Sequence, residues 1–415
     1  MTIIFKCRLC RAVDLISVLN LGNLSLSGKF VRLHETVQVA PVNLVKCSEC
    51  GMLQLEKSCP QEILYGAGYG YESHLNSSMV KHLTSKAQML ENLYVKSSNA
   101  KYLDIASNDG TLLSGYQNTN ALRIGVDPAI PFVSDKYPQG AIKIPEYFSY
   151  NAVTSLHKEK FDLITSCSVL YDLEDPMSFV RDVSRLLKPG GVWHSEQSYL
   201  PLMVKSLSYD TICHEHLLYL TIRDINRMCI ENKLVIVDAN LNNINGGSIE
   251  ITAQKSIEDS RDESLPKTSK LIELQLQEAV FLDDPDHLAS FADKARSHMT
   301  EIRSLLLSLV EQGKKIYGLG ASTKGNILLQ ACGIDSTIVS AIGDVNPRKY
   351  GRVTPGTNIP IVPEREVLES GFRNSVFLIL PWHFRENIIS KVKRDYPGRT
   401  FDFLFPLPSI EIINV

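Results

Sequence analysis

The chain has 415 residues, with 43 Lys and Arg against 46 Asp and Glu, a net charge of −3, and is 44% hydrophobic. That length leaves room for two or three domains of ~100–200 residues, and the near-neutral charge gives no basic field for nucleic acid or an anionic membrane. The N-terminus lacks a charged region followed by a long apolar one, and no stretch approaches ~18 uninterrupted apolar residues, so a soluble, cytoplasmic protein acting on a small or nucleotide-linked substrate is expected.

Residues 1–75 hold two Cys-x-x-Cys knuckles, Cys7 with Cys10 and Cys47 with Cys50, and Gly51 stands where a tight turn needs it. Nine cysteines in a chain without an export signal suit metal ligands and free thiols better than a disulfide framework. Paired knuckles can present four thiolates to one tetrahedral Zn²⁺, a closed structural site; a redox pair or unrelated buried thiols are the alternatives. The interval from 16 to 45 must form its own excursion, and Cys59 is left over. Next, Tyr65, Tyr69 and Tyr71 alternate with three glycines, a segment that either closes over a ligand or packs the zinc module against the next domain. Met79, Leu83 and Met89 then mark the apolar positions of a helix.

The central domain is expected over 76–260. Residues 101–113 read as a strand that passes through a polar, glycine-containing turn into a helix, the arrangement that sets a ligand at the carboxyl edge of a parallel sheet. The turn is not the Gly-x-Gly-x-x-Gly of dinucleotide sites. Asp104, Asn108 and Asp109 fill it with acceptors and negative charge, which repels a pyrophosphate and suits a ligand bearing a sulfonium and an ammonium. Asp127 ends the next strand, placed for a ribose diol. With Ala106, Gly110 and Ser168 these residues are the cofactor-binding candidates. Further strand-like runs at 161–167 and 192–196 flank a helix over 177–187 that stops at Lys188-Pro-Gly-Gly191. This order resembles that of class I S-adenosylmethionine-dependent methyltransferases.

Residues 209–219 then pack two imidazoles, two carboxylates, a thiol and two phenols into eleven positions. Cys213, His214, Glu215 and His216 suit general acid–base chemistry, since His exchanges protons near neutrality and Glu can orient it. A structural cluster or a His-x-His metal pair would draw on the same side chains. A helix over 222–232 and a closing strand pair follow, joined by a turn containing Asn245, Gly246 and Gly247. Residues 261–310 are expected as a helical connector with Leu288, Phe291, Ala295, Ile302, Leu305 and Leu309 on one face. A second Rossmann-like unit is expected over 311–415, where Gly318-x-Gly320 leads into Ser322, Thr323 and Lys324, able to hold phosphate at a helix N-terminus.

The paired knuckles, the Tyr-rich segment, the 104–113 turn, the His-Glu-His loop and the 318–326 turn, with Asp344-Val-Asn-Pro and residues 354–361 after it, together resemble the three-domain C-methyltransferases of nucleotide-linked ketosugars. The resemblance implies an α/β protein with a central class I methyltransferase Rossmann-like domain, a small N-terminal zinc-binding module and a second Rossmann-like C-terminal domain. It implies S-adenosylmethionine and structural Zn²⁺, and a monomer or homodimer without nucleic-acid or membrane partners. In the loop it makes His216 the base that forms an enolate and Glu215 its partner, beside His214 and Cys213, with Tyr69 and Tyr71 lining the substrate pocket. The nucleotide-linked substrate falls to Asn245, Gly246, Gly247, Ser322, Lys324, Asn326, Asp344 and Asn346. Cys213 stands where that family carries a tyrosine, and a thiol reaches less far and donates more weakly than a phenol. The competing readings are O- or N-methylation, a nicotinamide oxidoreductase with Asp344 as its acid, and a non-catalytic zinc- and nucleotide-binding protein.

Overall fold

The computed structural model describes residues 2–3, 6–65, 71–257, 265–370 and 374–415. The excursion between the knuckles is a bulged antiparallel pair, Leu15–Ser25 with Val39–Cys47, whose register sets Leu15 opposite Cys47 and so draws the two knuckles together. Gly51 turns at φ +77°, and its N–H donates to the Cys47 carbonyl. Leu53–Leu55 extends the sheet, and Leu218–Tyr219, from far along the chain, closes it as a fourth strand.

The helix Ser77–Tyr94 begins at Asn76, whose side chain accepts from Ser78 N–H. Met79, Leu83, Ala87 and Leu90 recur every three or four residues and are buried, whereas Met89 falls on the other face and is exposed. At 100° per residue, position 89 lies off the stripe of 79 and 83, so of the three apolar positions it is the one left outside the buried face. The central sheet runs Leu234–Asn242, Ser248–Lys255, Leu187–Ser198, Phe161–Cys167, Lys101–Ile105, Leu122–Val126, Ile142–Ile144. In chain order this is 6-7-5-4-1-2-3, with the seventh strand alone antiparallel. The chain leaves strands 1 and 4 in opposite directions, which opens a crevice at their carboxyl ends.

The C-terminal sheet is a second doubly wound unit, Ile361–Pro363, Ile342–Asp344, Lys315–Leu319, Ser375–Ile379, Asp402–Phe405, Glu411–Asn414, parallel except for the last strand. Its order is 3-2-1-4-5-6, so it too has a crevice between its first and fourth strands. The helix His287–Glu311 leads into it with Leu288, Phe291, Ala295, Ile302, Leu306 and Leu309 buried on one face. A single apolar cluster runs from Leu19 and Leu53 through Leu218 and Ile225 to Leu328 and Phe377. The three modules therefore share a core and are held in one arrangement around the site. No described helix is long and apolar enough to cross a membrane.

Candidate active site

A cavity of about 950 Å³ is walled by the crevices of both sheets and by the N-terminal module. At its cofactor end Ala106, Asn108 and Ser168 adopt φ of +58°, +49° and +57°, conformations that cost a non-glycine residue about 1–3 kcal/mol and persist where neighbours fix them. Ala106 N–H donates to Val126 O, Ser168 N–H to Glu196 O, and Asn108 N–H to Asp127 Oδ2. Asp104 is buried and accepts from the Thr165 hydroxyl. Burial pushes its carboxyl up to about 7, with Thr165 opposing and Asp127 and Asp109 adding repulsion. Burial raises Asp127 as well, against hydrogen bonds from Ala129 N–H and Asn108 N–H. Among the described residues neither buried acid is paired with a cation. S-adenosylmethionine fits: its sulfonium and ammonium supply positive charge, and Asp127 retains lone pairs for ribose hydroxyls.

Asp109 and Gly110 do not reach the cavity, contrary to expectation. Asp109 accepts from Thr111 N–H and hydroxyl and from His74 N–H, so it shapes the turn and tethers the chain after the tyrosines. A Cβ at Gly110 would lie 2.5 Å from the Tyr137 ring, so this glycine serves packing. Tyr71 lines the cavity, and its carbonyl accepts from Asn108 Nδ2–H. Tyr69 lies outside the described residues.

The His-Glu-His loop is held mainly by the zinc module. The strand after it pairs with Leu53–Leu55, and His214 donates from Nε2 to Ala40 O at 3.2 Å. With 2% exposure and no place in the cavity wall, His214 is an anchor, which corrects its listing with the catalytic group. Glu215 lines the cavity and accepts from the Ser27 hydroxyl at 3.1 Å; a Cβ at Gly28 would stand 2.8 Å from Oε1, so glycine leaves the carboxylate its space. His216 also lines the cavity. Its Nδ1 lies 2.9 Å from Thr211 O, and because a carbonyl only accepts, the proton sits on Nδ1 and Nε2 keeps its lone pair. The Tyr171 ring packs edge-on against it at 4.4 Å. Burial and then the Lys324 ammonium lower His216 to about 3, against the Thr211 hydrogen bond, so it is neutral at physiological pH. Cys213 is buried and burial pushes its thiol well up, making it an uncharged wall group.

Across the cavity stand Asn245, Ser322, Lys324, Asp344 and Asn346, joined by Arg348, Lys349 and Arg352. Ser322 caps the helix Thr323–Ala331 through Gly325 N–H. Asp344 accepts from Ala321 N–H and Asn346 N–H, shaping the glycine turn. Three expected substrate contacts are not in the cavity wall. Asn326 is buried and donates to Ser27 O, fastening the helix Thr323–Ala331 to the zinc module. Gly246 packs on Trp382 and Gly247 on Leu202.

Sequence reasoning missed His82 and Glu196, which also line the cavity. His82, Glu196 and Glu250 converge as metal ligands would, but the Lys86 ammonium stands 2.6 Å from Glu196 and 2.7 Å from Glu250. Against the burial that would raise it, His82 and Lys86 hold the Glu196 carboxyl at about 2. A carboxylate at a strand end was the one local signal.

The four knuckle sulfurs do converge, with Sγ separations of 3.6 Å for Cys7 and Cys50 and 3.5 Å for Cys10 and Cys47, all four within 4.8 Å. A tetrahedral Zn²⁺ with bonds of ~2.3 Å needs separations of about 3.8 Å, so the set fits zinc. Arg8, inside the first knuckle and 1% exposed, donates to Leu55 O, Gln54 and Ser58, joining the zinc site to the strand that holds the His-Glu-His loop.

The class I strand order, the acids at its switch point and the imidazole in the same cavity define an S-adenosylmethionine-dependent methyltransferase. Three family models match the chain: "Putative zinc binding domain" over residues 7–65, "Methyltransferase domain" over 79–239 and "C-methyltransferase C-terminal domain" over 243–408. C-methyltransferase NovU of Streptomyces niveus is 25% identical over 416 residues, spanning 99% of this chain and 97% of its own. Among solved structures, magnesium protoporphyrin IX methyltransferase from Synechocystis, with bound S-adenosylmethionine, covers 43% of this chain and 79% of its own at 14% identity and a TM-score of 0.31. The N-methyltransferase NodS of Bradyrhizobium japonicum, in complex with S-adenosyl-l-homocysteine, covers 43% and 88% at 14% identity and a TM-score of 0.33. The three matches follow one another along the chain in the order zinc-binding, methyltransferase and C-methyltransferase C-terminal, and with the full-length relative they support S-adenosylmethionine-dependent methyl transfer to carbon.

Proposed function

We propose that the acceptor is a nucleotide-linked ketosugar, methylated at a carbon beside its keto group. The observation that carries this reading is that one cavity joins the acidic cofactor edge, a neutral imidazole with a free Nε2 lone pair, and a wall bearing Lys324, Arg348, Lys349 and Arg352. A carbon acid needs a base, and an anionic nucleotide needs cations along its path. His216 Nε2 takes the proton from the carbon, leaving an enolate. Glu215, fixed by Ser27, orients the sugar through its hydroxyls. The helix start at Ser322 and the three cations at 348–352 hold the diphosphate. When bound, S-adenosylmethionine supplies an electrophilic methyl group. The relative's name, C-methyltransferase, supports transfer to carbon.

A mass-shift screen over nucleotide-linked ketosugars, with NMR of the product, tests the reading. A new carbon–methyl bond is expected, and a methyl ether or methylated nitrogen would overturn it. His216→Ala is expected to lower turnover by about 10²–10⁴-fold while leaving S-adenosylmethionine affinity near wild type; retained turnover removes His216 from the base role.

A further inference from the structure

A base alone does not make an enolate, since the electron pair it releases must come to rest on an oxygen that something stabilises. Lys324 is the second residue of the helix Thr323–Ala331, and that helix packs on the turn Tyr209–Thr211. The same turn supplies the Thr211 carbonyl that holds His216. Lys324 and His216 therefore reach the cavity from two sides of one contact. Among the described residues, the hydrogen bond Lys324 makes is from Nζ to Asn245 O, so an ammonium with three protons keeps two for a ligand. Its charged neighbour is Asp210, whose Oδ2 is taken by Trp382 Nε1–H at 2.8 Å. The other titratable groups around the pair are Cys213 and His383. The diphosphate has other cations in Arg348, Lys349 and Arg352, which also line the cavity, Lys349 donating to Ala321 O beside the helix start.

We infer that Lys324 is a catalytic residue rather than a phosphate ligand, donating a hydrogen bond from its ammonium to the keto oxygen as His216 deprotonates the neighbouring carbon. In this step the C–H bond breaks and its proton goes to Nε2. The C–H electron pair forms a carbon–carbon double bond, and the carbonyl π pair moves onto oxygen beside Nζ. The inference rests on the ketosugar reading. The Lys324 ammonium also lowers His216, in agreement with the two groups facing one cavity. The cation makes the imidazolium dearer but stabilises the enolate formed alongside.

The test uses full-length protein, S-adenosylhomocysteine in the donor site and the nucleotide-linked ketosugar that wild type is found to methylate. Deuterium wash-in from D₂O at the acidic carbon, read by ¹H NMR, reports deprotonation without methyl transfer. Lys324→Met is expected to slow exchange by about 10²–10³-fold, with the dissociation constant of the sugar nucleotide changed less than about threefold, and Lys324→Arg to recover part of the rate. In Lys324→Met the His216 ring is expected to titrate at higher pH than in wild type, as loss of the neighbouring ammonium requires, while the split between exchange rate and sugar-nucleotide affinity is the readout that a merely structural lysine would not give. Lys324→Gln gives the same test if the Met variant does not fold. Unchanged exchange with a weakened sugar nucleotide would return Lys324 to the phosphates and leave the ketosugar reading standing. Failure of wild type to methylate or exchange any nucleotide-linked ketosugar would instead overturn that reading, and this inference with it.

Discussion

Asp104 and His216 face one cavity, and burial moves each towards its neutral form, raising the carboxyl to about 7 and lowering the imidazole to about 3. For His216 the outcome is an imidazole that is neutral at physiological pH. For Asp104 the outcome is a cofactor site tuned near neutrality, with a sign that can be worked out. A cationic ligand favours the ionised carboxylate, so below pH 7 binding must first expel a proton, and affinity weakens by up to about tenfold per pH unit. Calorimetric titration of S-adenosylmethionine between pH 8 and pH 6 is expected to show that weakening. Asp104→Asn should bind weakly at every pH without the slope, and S-adenosylhomocysteine, which lacks the sulfonium, should show a shallower one. A flat wild-type profile would remove Asp104 from the electrostatics of the donor.

One strand pair links the zinc site to the chemistry. Leu218–Tyr219, directly after the His-Glu-His loop, pairs with Leu53–Leu55, and Arg8 ties that strand to the first knuckle. Structural zinc contributes on the order of 10–16 kcal/mol to small modules, so its loss should free the strand and loosen the loop. Asp104 and Asp127 stand on another sheet. Chelation is therefore expected to abolish most turnover while leaving the S-adenosylmethionine dissociation constant within about threefold, with zinc restoring the rate; full activity in metal-free protein would break this link. The loop was legible in the sequence because its titratable residues are adjacent. Its anchors were not: Glu215 meets Ser27 across 188 residues and His214 meets Ala40 across 174, and nothing local encodes such pairings. The same holds for Glu196, whose role depends on His82 and Lys86 more than a hundred residues earlier.

Across the whole molecule, the two doubly wound units were legible because strand, turn and helix alternate in the sequence and crossover handedness leaves few topologies. How they meet was not. The C-terminal domain closes on the other modules through Asn326 on Ser27, Arg352 on Phe30 and the bridge of Val31 to Val353, and an ion pair connects it to the segment that holds the cofactor turn. Arg348 pairs with Glu72, which is almost buried and also accepts from Ser134 N–H. The next two residues are fixed to that turn, with Ser73 N–H donating to Asn108 and His74 N–H to Asp109. Because the arginine is more than half exposed, the pair should add less than about 1 kcal/mol to global stability. Its effect belongs on the segment it fastens. Without sugar nucleotide present, Arg348→Met is expected to raise the S-adenosylmethionine off-rate by about fivefold, the equivalent of ~1 kcal/mol, at an almost unchanged melting temperature. Against the burial that would raise it, Ser134 and Arg348 hold the Glu72 carboxyl below its usual range, so the latch should persist to pH values below 4.5 and vanish in Glu72→Gln. Stopped-flow off-rates for the two single variants and the double variant decide the matter: if the pair carries the effect, the double variant releases cofactor no faster than either single one. Additive rates would mean that Arg348 and Glu72 act on the donor separately.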